Sequence, residues 1–145
     1  MRRKFWLAGF VLLAGCDSAI ESLRHQELWQ SLEIHDYRFV YTVSCFCGFV
    51  GPNPAVITVH NDVVTKVEYP APSMNGSYPT AGYPTIDSLF ARVTRANAEG
   101  AHSVKVDYDE TYQYPKTIFI DHRENTADDE VAFKVENFTI LSASQ

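Results

Sequence analysis

The sequence predicts an α+β domain: one antiparallel β-sheet with helices packed on one face, in the order α-β-β-β-α-β-β-β. Three observations predict it. Several short segments alternate apolar and polar residues with a period of two. Two others carry apolar residues at helical spacing. Aromatic residues make up 13% of the chain, which fits a compact β-rich domain and excludes disorder.

The chain begins with a basic cluster, Arg2-Arg3-Lys4, and an apolar run from Phe5 to Ala14. About ten residues are too few to cross a bilayer as a helix, which takes about 20, so the run reads as a cleaved export signal over residues 1–15. Its end, Leu13-Ala14-Gly15-Cys16, resembles a bacterial lipobox. That resemblance implies that the Cys16 thiol takes a diacylglyceryl group and that the cut falls before it. Several acyl chains give lasting attachment where one would be marginal. Residues 16–24 are then the lipidated N-terminus and tether, and 25–145 the folded domain. The expected place is the bacterial envelope, facing the periplasm. Asp17 resembles an inner-membrane retention signal and favours that membrane over the outer one.

Ser18 to Asp36 reads as a helix with an imperfect stripe of Ile20, Leu23, Leu28, Trp29 and Leu32, its first turns being either helix or a flexible tether from the membrane. Tyr37 to Cys47 alternates as a strand, placing Tyr37, Phe39, Tyr41, Val43, Cys45 and Cys47 on one face. Gly48 to Pro54 is a turn. Ala55–His60 and Val63–Tyr69 form a hairpin about Asn61-Asp62. Residues 70–84 make a long loop rich in Pro, Ser, Gly and Tyr. Thr85 then caps a helix whose apolar face is Ile86, Leu89, Phe90, Val93 and Ala96, with Gly100 as its stop. Strands follow over Ser103–Asp109, Lys116–His122 and Glu130–Leu141. A change of apolar phase between Val135 and Phe138 predicts a β-bulge at Glu136-Asn137. The repeated α-β-β-β order is one that a diverged duplication would give.

Trp29, Asp36-Tyr37-Arg38-Phe39 and Cys45-Phe46-Cys47-Gly48, followed by Thr85-Ile86-Asp87-Ser88-Leu89-Phe90, Val106-Asp107-Tyr108-Asp109 and Tyr114-Pro115-Lys116-Thr117-Ile118, stand in a characteristic order and spacing. In these the chain resembles a bacterial family catalogued as domain of unknown function 6174, over most of residues 25–141. The resemblance implies fold and compartment and no activity. Where the family commonly shows Tyr-Gly-Tyr-Pro, this chain has Tyr112-Gln113-Tyr114-Pro115, which argues against a glycine-type backbone angle at position 113.

Removing residues 1–15 takes away three of the twelve basic residues and none of the eighteen acidic ones, so the formal charge falls from −6 to −9. Such a surface argues against nucleic acid and against an electrostatic grip on anionic lipid. With Cys16 lipidated, Cys45 and Cys47 are the remaining thiols in an oxidising compartment, and they are candidates for a disulfide. In a regular strand residues i and i+2 stand roughly 6.6–6.8 Å apart, the long edge of disulfide geometry, so a bond requires a bend at Phe46–Gly48. A redox pair, a soft-metal pair and free thiols are the alternatives.

Asp107 and Asp109 share a face opposite Val104, Val106 and Tyr108. They are either a solvated face or paired carboxylates. Tyr69, Tyr78 and Tyr83 suit protein contact, or else fold back as a lid. The five histidines, scattered without a His-x-x-x-His pattern, do not suggest a zinc hydrolase. Asp121, His122, Asp128, Asp129 and Glu130 match no standard calcium loop. The chain has no Gly-x-Ser-x-Gly elbow and no phosphate-cradling glycine loop. No metal, cofactor or catalytic residue is expected. The leading expectation is a non-enzymatic, membrane-anchored domain that binds an envelope protein or peptide or serves a structural role. The second is a ligand-, metal- or redox-accessory protein using Cys45 and Cys47.

Overall fold

The alternation in Tyr37–Cys45 becomes the central strand of a six-stranded antiparallel sheet. A computed structural model describes residues 15–48, 51–71, 76 and 78–142, with side chains from Ser18 onward. Residues 1–14 of the expected export segment 1–15, and the Cys16 thiol, lie outside the described part. The elements are α1 (Gly15–Ser31), β1 (Tyr37–Cys45), β2 (Ala55–His60), β3 (Val63–Glu68), α2 (Ile86–Ala98), β4 (Ser103–Tyr108), β5 (Pro115–Asp121) and β6 (Glu130–Ile140). The order across the sheet is β3-β2-β1-β6-β5-β4, so the first and last strands pair at its centre.

β1 turns Tyr37, Phe39, Tyr41 and Val43 inward, where they meet Ile57 and Val59 of β2, Ile118 and Ile120 of β5, and Phe133 and Val135 of β6. α2 lays Ile86, Leu89, Phe90, Val93 and Ala96 on the same face, each buried. Its N-terminus is doubly tied. Thr85 Oγ1 accepts from the Ser88 amide at 3.2 Å, and the buried Tyr37 hydroxyl accepts from the Ile86 amide at 3.0 Å.

Two elements differ from the sequence expectation. α1 begins at Gly15, so the stretch 16–24 assigned as tether has helical backbone, and it ends at Ser31 instead of Asp36. The last turn tightens, with Leu32 N–H bonded to Trp29 C=O and Glu33 N–H to Gln30 C=O, and Glu33 then enters left-handed backbone at φ 51°. β1 ends two residues early, at Cys45, because the chain bends over Phe46 and Cys47.

The predicted Asn61-Asp62 turn holds. Asn61 and Asp62 have φ of 48° and 63°, the double positive of a type I′ hairpin. The β6 bulge falls where the phase changes. Arg38 faces Thr139 and Val40 faces Glu136, with Asn137 at φ 51° taking up the extra residue. The bulge returns Phe138 to the inner face against Trp29, Tyr37 and Tyr114, at centroid distances of 5.8, 5.5 and 4.7 Å. Carrying the first half of the chain onto the second would turn the sheet over, because β1 and β4 run oppositely while the spatial order is kept. Both helices nevertheless lie on one face, so a repeat is visible in element order alone.

Candidate functional site

Among the described residues the sheet has one covered face and one open face. Strand register builds two rows across the open one. Ser44 of β1 stands beside Ala132 of β6, then Phe119 of β5, then Lys105 of β4. One step along, Thr42, Lys134, Thr117 and Asp107 line up in the same way. Between the rows lies a shallow hollow of about 260 Å³, lined by Thr42, Ser44, Thr117, Phe119, Ala132 and Lys134.

The hollow is smaller than the roughly 300–1,000 Å³ of small-molecule pockets. Its floor is apolar, and its rim carries hydroxyls and charges. The Lys105 amine stands 6.0 Å from the Phe119 ring centroid. The Thr117 hydroxyl donates to Asp107 at 2.6 Å, and Lys134 pairs with Glu136 at 2.8 Å.

Cys45 and Cys47 close one end of β1, adjoining Ser44. The structure bonds them, with Cα atoms 5.2 Å apart, inside the usual disulfide span and well short of a regular strand step. The bend that sequence geometry required is the break after Cys45. Asn53 holds the strand just before it, its side chain accepting from Val43 N–H at 3.0 Å and donating to Val43 C=O at 2.8 Å. Between the two cysteines Phe46 is 83% exposed. A large aromatic ring is thus held in solvent on a short covalent loop.

The tyrosines are placed differently. Tyr69 meets Tyr78 edge-on at 5.2 Å, and Tyr78 and Tyr83 pack against the core. The Tyr83 hydroxyl donates to Pro52 C=O at 2.8 Å and lies over Gly51, whose φ of 129° suits glycine and where a Cβ would collide with that hydroxyl. These rings fold back on the sheet. Asp107 lies on the open face, whereas Asp109 caps the β4–β5 turn, its carboxylate accepting from the Thr111 and Tyr112 amides at 3.0 and 2.8 Å. The two aspartates therefore do different local work.

A second hollow, about 310 Å³, opens where α1 ends, lined by Trp29, Gln30, Glu33, Ile34, His35, Asp62 and Asp87. Its polar groups largely serve one another. The Trp29 indole donates to Asp87 at 3.3 Å, and His35 bonds Asp62 at 2.8 Å. Beside it Asp36 accepts from the Asn61 amide and from His60, at 3.1 and 3.0 Å. These bonds, the amide first, hold its carboxyl below the usual carboxylate range. Burial pushes Tyr41 and Tyr114 each up to about 12, which leaves both phenols neutral across physiological pH. Among the described residues, no group of three or more His, Cys, Asp or Glu converges on a metal-sized point.

Sequence reading missed Phe119, Ala132, Thr42 and Lys134. Each stands at an outward position of a strand that the sequence predicts, and the available signal is the scarcity of charge at those positions in β1 and β5.

Fold and surface together define a small α+β domain whose sheet, among the described residues, is helix-backed on one side and open on the other. The family model for a family of unknown function, domain of unknown function 6174, matches residues 21–140, and the chain belongs to that family. No curated protein and no solved structure matches it.

Proposed function

We propose that this chain is a lipid-anchored protein of the bacterial envelope whose domain binds a protein or peptide partner without catalysing a reaction. The observation that carries this reading is the open sheet face, with its apolar floor of Ala132 and Phe119 inside a rim of Thr42, Ser44, Thr117 and Lys134. An extended or helical segment laid across the rows would cover Phe119, 37% exposed, and meet the Thr42 and Ser44 hydroxyls at the rim. Phe46, fixed beside the same end of β1, supplies a second aromatic anchor. The lipobox at Cys16 supports the anchor, and the acidic mature chain gives no reason to expect nucleic acid.

The test is site-specific photocrosslinking from position 119 in intact envelopes, repeated with Ala132→Arg, which fills the hollow from an outward position and leaves the core alone. The expected result is one discrete adduct from position 119, reduced at least tenfold by Ala132→Arg, about 1.4 kcal/mol of binding or more. Adducts that are diffuse, or unchanged by Ala132→Arg, contradict the reading.

A redox-accessory role has one observation in its favour: Cys47 is exposed on the Cys45–Cys47 loop. Thiol labelling under graded reduction separates the two. A structural bond is labelled only after strong reduction, whereas opening by mild dithiols favours exchange chemistry.

A further inference from the structure

We propose that the N-terminal flank of α1 lies on the lipid surface, so that the helix layer faces the membrane and the open sheet face points away from it. This rests on the lipid anchor at Cys16. α1 is continuous from Gly15, which makes Cys16 part of the helix and not a separate leash. At about 1.5 Å per residue, Ile20 and Leu23 follow Cys16 by only about 6 and 10 Å of helix axis.

Positions 16, 19, 20 and 23 have the i, i+3, i+4, i+7 spacing of one helical flank. The packed side of α1 is a different one, formed by Ser22, His25 and Trp29: Ser22 and Trp29 are buried, and His25 stacks on Tyr108 at 3.8 Å. Ile20 is 65% exposed and Leu23 51%. With Ala19 they border an apolar groove of about 390 Å³ against Thr94, Asn97 and Ala98 of α2. The flank ends at Glu27, one turn beyond Leu23. It is therefore apolar only next to the anchoring residue.

A second copy of the chain is a poor occupant. Two large side chains fall far short of the roughly 800 Å² per partner that a stable interface buries. A bilayer needs no such area, because the acyl chains on Cys16 already hold the flank at high local concentration. The formal charge of −9 gives anionic headgroups no advantage, so contact with zwitterionic lipid is sufficient.

The experiment uses the full lipidated chain in phosphatidylcholine vesicles, with an environment-sensitive fluorophore on Leu23→Cys and, as control, on Phe119→Cys. The Cys45–Cys47 bond leaves the introduced thiol as the one that reacts. The expected result is blue-shifted emission from position 23, quenched by nitroxide-bearing lipids, with position 119 remaining in water. Equal water exposure at both positions, on protein whose mass shows an acylated Cys16, overturns the docking and leaves the anchor intact. Shielding of position 23 that rises with protein concentration in the absence of lipid overturns it in favour of a second copy. A mass without acyl groups overturns anchor and docking together.

Discussion

Gln113 shows how one residue can hold a backbone angle that suits another. Its φ of 65° is the glycine-type angle that its identity argued against. Its side chain donates to Glu110 C=O at 2.8 Å and meets His25 Nδ1 at 2.8 Å, fastening the β4–β5 turn to α1. Gln113→Ala keeps the backbone strain and loses both bonds, whereas Gln113→Gly loses the bonds and relieves the strain. Thermal and urea unfolding should therefore find the alanine variant about 1 kcal/mol less stable than the glycine variant. Tyr37 carries a different load. Removing its hydroxyl as Tyr37→Phe leaves the Ile86 amide buried without its acceptor, an expected loss of about 1–3 kcal/mol read from the urea midpoint. Asp36 gives the pH dependence. Its carboxyl is held low in the folded state, so its contribution is present above the ordinary carboxylate range and fades as pH falls through the lowered value. Asp36→Asn should flatten that part of the acid limb in a plot of melting temperature against pH, and an unchanged limb would contradict the assignment.

Among the elements, those specified by local chemistry were legible in the sequence. The Asn61-Asp62 hairpin, the Thr85 cap and the phase change before Phe138 each depend on two or three adjacent residues, and each appears as read. Asn137 tolerates its positive φ because its short amide side chain suits that region. Asn137→Val should cost about 1–2 kcal/mol in equilibrium unfolding, while Asn137→Gly should cost little. The end of α1 was not legible, because Leu32 continues an apolar stripe that the tightened turn and Glu33 interrupt. The tyrosine loop was ambiguous for a related reason. Whether a tyrosine faces outward or folds back depends on partners such as Pro52 and Tyr41, which lie remote in sequence. The Cys45–Cys47 loop spans only two residues of separation, so the entropy it removes from the unfolded chain is small. Replacing both cysteines by alanine should cost about 1.5 kcal/mol or less, with the fold retained by circular dichroism.

At the scale of the whole molecule, placing β1 beside β6 turns scattered residues into a surface. Alternation marks Thr42, Thr117 and Lys134 as outward, yet only the register sets them in one row with Asp107, and Ser44, Ala132, Phe119 and Lys105 in the next. Long-range pairing of this kind cannot be read from any window of sequence. Among the described residues the helices lie on one side of the sheet and leave the other side open, and the proposed reading sets lipid on the helix side and a partner on the sheet side. The measurement that tests this account most directly is photocrosslinking in intact envelopes from two positions of the same chain, 119 on the sheet and 27 on α1. The account predicts a discrete protein adduct from position 119 that Ala132→Arg reduces at least tenfold, and no such adduct from position 27. An identical adduct from both positions, or one from position 119 that survives Ala132→Arg, would contradict it.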